Sequence, residues 1–393
     1  MTKKNERSLI GRLLIFIMLM LNVTVAIALL FAFLAQFISP KTSILITYCG
    51  LAFPYLIIAN FVFVVFWIFI RYRYSLISLL IILLNVNNID RTFQFSGMDT
   101  PQVCDNCVKV MSYNAQLFGL YNTGDKKKRE RERDDILQVI REISPDIICF
   151  QEFFYDAGGS LDFNTTDSVF SAMRLDRKTP KEKKMLYASY FPVSSKNKYH
   201  YGLAIFSKYK IVHSDHITFA DSNTTNGAMF VDIKYKNDTI RIYSIHLESF
   251  KMDQVDQEIG KKIKNNDLND PDFNKKALRI STKMGVAFKE RALQAEAIRM
   301  HINECRYPTI VCGDFNDTPV SYSYKTISGR LKDTFRVSGK GKGVTYHGDA
   351  FPNYRIDYIL HNRKFNSYGH TIYDELTVSD HYPIYTNISI KKR

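Results

Sequence analysis

Two long stretches of the chain contain no charged residue: Leu13 to Ile38 and Thr42 to Ile70. Nothing else in the sequence narrows the fold as much. Each exceeds the roughly 20 apolar residues that an α-helix needs to cross the hydrocarbon core of a bilayer. A secretory signal would have a shorter apolar core and a small-residue cleavage site, which two tandem runs of this length do not offer. The runs therefore predict membrane-spanning helices rather than buried helices of a soluble core. A third uncharged stretch, Tyr74 to Ile89, ends in Asn85, Asn87 and Asn88. At about 1.5 Å per residue it reaches some 24 Å, marginal for a crossing. It reads as a third span, with a helix lying in the membrane interface as the alternative.

Orientation follows from the basic residues beside the spans. Lys3, Lys4, Arg7 and Arg12 precede the first, Lys41 alone separates the first two, and Arg71 and Arg73 follow the second. The positive-inside rule keeps the N-terminus and the Arg71–Arg73 turn in the cytoplasm. Three spans put everything after residue 90 outside the cytoplasm, and two would leave it inside. The three-span reading gives a multi-pass protein of the cell membrane with an extracytoplasmic domain. The net charge of +14 is spread over both parts: 8 Lys and Arg against 3 Asp and Glu in residues 1–100, and 45 against 36 beyond. A basic domain is drawn to nucleic acid and anionic lipid heads alike, so the sign does not choose between them. Six cysteines are too few for a disulfide scaffold in 393 residues. Cys104 and Cys107 form a single Cys-x-x-Cys without the second pair a zinc site would need, leaving a local disulfide or two free thiols.

Residues 91–107, with Gly97 and Pro101, read as a linker between a 1–90 anchor of two to three helices and a catalytic domain over 108–393. In that domain short apolar strands alternate with amphipathic helices. Val108–Tyr113, Asp146–Phe150, Gly202–Ser207, Thr309–Cys312, Arg355–Leu360 and Tyr382–Ile390 are strand-like. Met229–Tyr235 and Thr239–His246 form a hairpin turning at Asn237–Asp238. Ile136, Val139, Ile140 and Ile143 give a helical stripe over Arg129–Ile143 that Pro145 ends, and a second helix is expected over Lys289–Cys305. The pattern predicts an α/β fold of packed sheets covered by helices.

Polar residues recur where these strands end: Asn114, Gln151 and Glu152, His246 and Glu248, Asp314 and Asn316, Asp357, and Asp380–His381. They supply carboxylates, amides and imidazoles, with no reactive cysteine and no Gly-x-Ser-x-Gly elbow. Hard oxygen ligands such as Glu152 and Asn114 suit Mg2+ or Mn2+ better than zinc.

Ser-Tyr-Asn114, Phe-Gln-Glu152, Ser-Ile-His246-Leu, Gly-Asp314-Phe-Asn316, Arg-Ile-Asp357-Tyr and Ser-Asp380-His381 occur in the order found in the endonuclease/exonuclease/phosphatase superfamily. The chain resembles that superfamily, and its deoxyribonuclease and neutral sphingomyelinase branches in particular. The resemblance implies a four-layer α/β sandwich, two packed β-sheets flanked by helices, preceded here by an N-terminal transmembrane helical region. It also implies roles. Glu152 is the principal metal ligand with Asn114 beside it, and Asp380 lies near the same cation. Asp314 activates the attacking water, and Asn316 helps hold Asp314 and the phosphate. His381, oriented by Asp357, contacts phosphoryl oxygens, and His246 protonates the leaving oxygen. That division of labour meets the needs of phosphodiester hydrolysis: charge neutralisation, an in-line water and a proton for the departing alkoxide. His246 separates the chain from abasic-site enzymes, which lack histidine in this motif.

The expected function is thus a membrane-anchored, divalent-metal-dependent phosphoesterase acting on a phosphodiester or phosphomonoester. Lipid headgroups and nucleic acid are the candidate substrates. The alternatives are an extracytoplasmic nuclease acting on DNA or RNA and a catalytically silent membrane-anchored binding module. The basic run Lys126–Arg133 is expected to be a solvated helix face. The Lys-rich segment Phe250–Phe288 is expected to shape the cleft or lie on a membrane surface. Asp333 and Tyr346–His347 are assigned packing and surface roles.

Overall fold

The computed structural model describes residues 9–95, 107–120, 125–156, 164–174, 186–196, 199–219, 226–251, 253–264, 272–348 and 352–391. Four helices come first: α1 (Leu9–Leu34), α2 (Ile44–Leu51), α3 (Phe53–Leu84) and α4 (Val86–Thr92). α1 and α3 are long and apolar enough to cross a membrane, and fewer than a fifth of the residues in their most apolar stretches are buried. The core helix of a soluble protein would bury most of that surface. The second apolar run is not the continuous helix its composition predicts. It breaks at Ala52, and α3 restarts with Pro54 in its first turn, where the missing N–H costs no hydrogen bond.

α3 also doubles back. Arg71, with φ −156° and ψ 86°, is non-helical. Ser78 Oγ donates to Asn60 Oδ1 at 2.9 Å, although the two residues are 18 positions apart. A straight helix would separate them by about 27 Å. The run beginning at Tyr74 is therefore the return arm of a helical hairpin packed beside α1. Asn22 Nδ2 donates to Ser78 Oγ at 2.5 Å, and Trp67 Nε1 donates to Asn22 Oδ1 at 3.0 Å, which closes a buried neutral network across all three arms. At the end of the bundle away from Arg71, Gln36 meets Asn88 and Arg91 at 3.3 and 2.9 Å.

The rest of the chain forms two six-stranded sheets and a small ribbon. The first sheet comprises β2 (Cys107–Asn114), β3 (Ile147–Asp156), β4 (Tyr187–Lys196), β5 (Tyr199–Ser207), β13 (Phe365–Ile372) and β14 (Ile384–Ile390), in the order β13-β14-β2-β3-β5-β4. The second comprises β6 (Ile211–Ile217), β7 (Gly227–Tyr235), β8 (Asp238–His246), β9 (Thr309–Asp314), β10 (Lys332–Asp333) and β12 (Asp357–His361), in the order β10-β12-β9-β8-β7-β6. The ribbon pairs β1 (Phe93–Gln94) with β11 (Gly341–Lys342). Among the described residues, only β2–β3 and β8–β9 pair in parallel, at the middle of each sheet.

Strand alternation builds the layers. Val108, Val110, Ile147 and Cys149 of the first sheet interdigitate with Val231, Ile242, Ile310 and Cys312 of the second. Met111, Tyr113, Ile148 and Phe150 face outward onto α5 (Lys126–Ile143) and α6 (Thr165–Arg174). Tyr243, Ile245, Val311 and Tyr358 face the opposite way. There they meet α8 (Phe273–Glu304) and α9 (Tyr322–Ser328), with α7 (Gln254–Lys264) and α10 (Thr334–Ser338) completing the helical set. The four-layer α/β sandwich is the architecture the sequence implies. α8 begins sixteen positions before the predicted Lys289, because Ile280, Met284 and Phe288 extend its buried stripe into the Lys-rich segment.

The anchor and the sandwich are joined by more than the chain between them. Residues expected to be linker are structured at their start: Asp90 pairs with Arg336 at 2.7 Å, and Arg355 Nη2 donates to the Arg91 carbonyl at 2.8 Å. The remainder of that segment, 96–106, lies outside the described residues. Val320 of the sandwich is buried among Leu29, Ala32 and Phe53 of the helices. Cys107 is disulfide-bonded, whereas Cys49, Cys149, Cys305 and Cys312 are free thiols.

Candidate active site

The parallel pairs at the sheet centres determine where the site lies. Asn114 is registered with Gln151 at the C-terminal end of one pair, and His246 with Asp314 at the C-terminal end of the other. Asp357 stands opposite Asp314 across the antiparallel β12–β9 ladder. The two sheets thus deliver their strand ends to one edge. A cavity of about 1010 Å³ opens there, and Asn114, Glu152, His246, Asp314, Asn316, Asp380 and His381 all line it. Of the strand-end residues named from sequence, Asp357, Gln151 and Glu248 do not line the cavity: Asp357 stands behind His381, Gln151 Nε2 donates to Ser244 Oγ at 3.1 Å, and Glu248 pairs with Lys251.

Asp314 is the hub. One carboxylate oxygen accepts from Asn114 Nδ2 at 3.1 Å and lies 3.6 Å from Nε2 of both His246 and His381. The other accepts from the Asn316 amide at 2.7 Å. Asp314 is 1% exposed. Burial pushes its carboxyl above the usual carboxylate range, against the pull of the His381 cation. That is the direction a general base requires. His381 Nδ1 is hydrogen-bonded to Asp357 Oδ2 at 2.9 Å. Burial works against the imidazolium, but Asp357 and Asp314 outweigh it and hold its pKa well above the ordinary value. His246 goes the other way: burial lowers its pKa despite Asp314. The two imidazoles flanking one carboxylate are tuned apart, one toward the cation and one toward the neutral ring.

Backbone conformation aims two of the side chains. The β3–β5 register slips between Phe150 and Phe153, and within that bulge Glu152 has φ 47°. A non-glycine residue in the left-handed region costs on the order of 1 kcal/mol and persists where the surroundings impose it. Asn316 also has a positive φ, 50°, which asparagine tolerates better than most residues. Its Nδ2 donates to the Leu247 carbonyl at 3.0 Å.

Asn114, Glu152 and Asp380 offer a side-chain amide and two carboxylates around the cavity, an all-oxygen set that fits a hard divalent cation. Asp314, Asp357 and His381 also bring ligand atoms within 4.8 Å of one another. His381 and Asp357 are already hydrogen-bonded to each other at 2.9 Å, so the oxygen set is the better cation site.

Other contributors were not legible as such. Ser379 Oγ donates to the Asn114 carbonyl at 2.8 Å and accepts from the His381 amide at 3.1 Å, tying the end of β2 to the loop that carries Asp380 and His381. Thr345 Oγ1 accepts from the Asp357 amide at 3.1 Å. Arg291 is completely buried, lies 4.4 Å over the Phe250 ring and 3.8 Å from Asp317, and donates to the Asn316 carbonyl. Its signal was present: Arg291 stands on the same helical stripe as Phe288, Ala295 and Ile298, where an apolar residue is expected. Tyr346 and His347, assigned above to packing and surface, line the cavity. Tyr346 contacts His381 edge-on at 5.2 Å, and His347 stacks on Tyr382 at 4.1 Å. Asp333 does pack, buried against Arg355 at 2.8 Å. The Lys-rich segment shapes the cleft as expected, through Phe250, Lys251, Lys261, Met284 and Phe288.

A family model described as the endonuclease/exonuclease/phosphatase family matches residues 111–381, and a model for a domain of unknown function matches residues 14–92. No curated protein matches the chain. Among solved structures, an endonuclease/exonuclease/phosphatase family protein from Leptotrichia buccalis is 20% identical with a TM-score of 0.48, over 72% of this chain and 100% of that one. The catalytic domain of human nocturnin with bound sulfate anion is 17% identical with a TM-score of 0.48, over 75% and 97%. D. rerio TDP2 complexed with a single-strand DNA product is 16% identical with a TM-score of 0.47, over 72% and 100%.

Proposed function

The chain belongs to the endonuclease/exonuclease/phosphatase family, and from that premise we propose that it is a membrane-anchored, divalent-cation-dependent phosphodiesterase whose catalytic domain faces away from the cytoplasm. The observation that carries the chemistry is the Asp314 hub, one buried carboxylate flanked at 3.6 Å by two imidazoles and held by two amides. Asp314 takes a proton from water as the water oxygen attacks phosphorus. One P–O bond forms, the P–O bond to an ester oxygen breaks, and that oxygen receives a proton from His246 in its imidazolium form, which the lowered pKa makes the readier proton donor of the two histidines. The products are a phosphomonoester and an alcohol. His381, kept cationic by Asp357, faces the phosphoryl oxygens, while Asn316 orients Asp314. A divalent cation at Asn114, Glu152 and Asp380 would supply positive charge for the non-bridging oxygens.

The anchor's shape supports the topology. The chain passes up α1, down the first arm of α3 and up the second, so Arg12 and the Arg71–Arg73 bend share one end of the bundle. The catalytic sandwich docks at the other end, through Val320, Asp90 and Arg91. The positive-inside rule places the arginine end in the cytoplasm. A disulfide at Cys107 fits an oxidising compartment.

The test uses the intact chain in detergent with bis(4-nitrophenyl) phosphate as a generic diester. Turnover is expected with Mg2+ or Mn2+ and is expected to vanish in excess chelator. Glu152→Gln should raise the cation concentration for half-maximal rate by about tenfold. Full turnover in chelator would overturn the reading.

A further inference from the structure

The loop that carries Asp314 and Asn316 continues through Asp317, Thr318 and Pro319 to Val320, and Val320 is buried to 1% exposure among Leu29, Ala32 and Phe53 of the anchor. Catalytic residues and membrane helices are thus separated by one short, packed segment. Against the same loop and cavity stands α2, the short helix between α1 and α3, whose Gly50 lies beside the Val320 carbonyl. Tyr354 Oη donates to the Leu51 carbonyl at 3.3 Å, and Tyr48 Oη donates to the Ser281 carbonyl at 2.5 Å. The Tyr48 ring meets Phe288 edge-on at 5.8 Å, and Ile44 packs beside Gly285. Leu51 itself lines the cavity, together with Met284, Phe288 and Tyr354.

The cavity therefore has two kinds of lining. Asp314, His246 and His381 supply the one. Leu51, Met284, Phe288 and Tyr354 supply an apolar wall, built partly by a segment of the N-terminal helices. Lys251 and Lys261 line the same cavity, giving it cationic groups as well. Beside this wall the N-terminal helices expose large apolar side chains: Leu45 of α2 and Phe37 are 61% and 53% exposed. A water-soluble nucleotide or polynucleotide has no use for an apolar wall continuous with the membrane helices. A phosphodiester carrying an acyl-bearing group on one side does, since its chains stay in the bilayer while its phosphate reaches Asp314.

We propose that the substrate is a phosphodiester lipid of the bilayer itself, engaged at the membrane surface, and that α2 is the specificity-determining wall against which its apolar portion rests. This rests on the phosphodiesterase reading above and deepens it. The anchor is then part of the binding site rather than a tether.

The experiment compares three substrates for the full chain in the presence of Mg2+ or Mn2+. They are bis(4-nitrophenyl) phosphate, vesicles of phosphatidylcholine, phosphatidylethanolamine, phosphatidylglycerol and sphingomyelin, and single-stranded DNA. Hydrolysis of a vesicle lipid is expected, and Leu51→Asp should lower the ratio of lipid to soluble-diester turnover at least tenfold. Leu51→Ala, a milder change that keeps the wall apolar, should lower the ratio about threefold and covers the case in which the aspartate variant does not fold. Turnover of the soluble diester without any lipid hydrolysis, DNA as the preferred substrate, or an unchanged ratio in the folded variants would each overturn the proposal while leaving the phosphodiesterase intact. Inactivity on all three substrates with either cation would overturn the phosphodiesterase reading, and this proposal with it.

Discussion

The helix bundle and the sandwich each bury a cluster of polar side chains, and the two clusters are of opposite kinds. In the bundle, Asn22, Asn60, Trp67 and Ser78 are all neutral. Their donors find partners: Trp67 on Asn22, Asn22 on Ser78, Ser78 on Asn60, and Asn60 on the Val25 and Leu56 carbonyls at 3.2 and 2.9 Å. In the sandwich, two aspartates and two histidines are packed as ionisable groups: burial raises the pKa of Asp314 and lowers that of His246, while Asp357 and Asp314 raise that of His381 against burial. Closed neutral networks cost little to bury and fix register across helices, as intramembrane polar pairs do. Buried charges are unfavourable unless each is paired, so a cluster like that around Asp314 stabilises little, which is what the proposed chemical role expects.

That contrast can be broken by substitution. Asp314→Asn keeps the shape and removes the charge, and it should lower turnover of the soluble diester on the order of 10² or more with the melting temperature little changed. A normal rate per folded molecule would mean that the charged cluster is structural, like the one in the bundle.

A second test asks whether buried titratable groups outside the site behave like either cluster. His361 and His370 are buried and neutral, with burial lowering each pKa to about 4. His370 is held by Thr334 at 2.7 Å. Because the folded pKa lies below the unfolded value of about 6.5, the stability each contributes is complete above that value and is lost as pH falls toward 4. At pH 5.5 the loss is on the order of 1 kcal/mol per histidine relative to pH 8. Thermal melts across this window should show the decline, and His370→Asn should flatten part of it. Identical profiles for both chains would remove His370 from the account.

The smallest effect belongs to the bundle. Asn60→Leu removes the acceptor of Ser78 and should destabilise the folded-back α3 by roughly 0.6–2 kcal/mol. Turnover of the soluble diester should stay within about twofold. A loss of turnover comparable to that of Asp314→Asn would merge the two clusters into one functional unit.

Much of the site was legible because sheet geometry carries it. Residues that follow apolar strands in parallel pairs must emerge at the same edge, so Asn114, Glu152, His246 and Asp314 could be read as neighbours from one-dimensional spacing. Ser379 and Thr345 could not, since their roles are single hydrogen bonds made by residue types that are abundant on any surface. The membrane runs were read as apolar, but their helical limits were not. Composition is blind to a break at Ala52–Pro54, where only the competition between helix continuation and packing against α8 decides.

By itself, the sequence determined that the chain has an apolar N-terminal part, an α/β sandwich and one ordered set of acid, amide and imidazole groups, because periodicity and local motif order encode all three. Only the tertiary structure decided that the N-terminal helices line the candidate active site. Tyr354 meets Leu51 from 303 positions away, and Tyr48 meets Ser281 from 233. No local propensity specifies such pairs. They form because the packed sandwich and the doubled-back α3 each present a finished surface, and the loop of Asp314 and the helix of Leu51 are what those surfaces bring together.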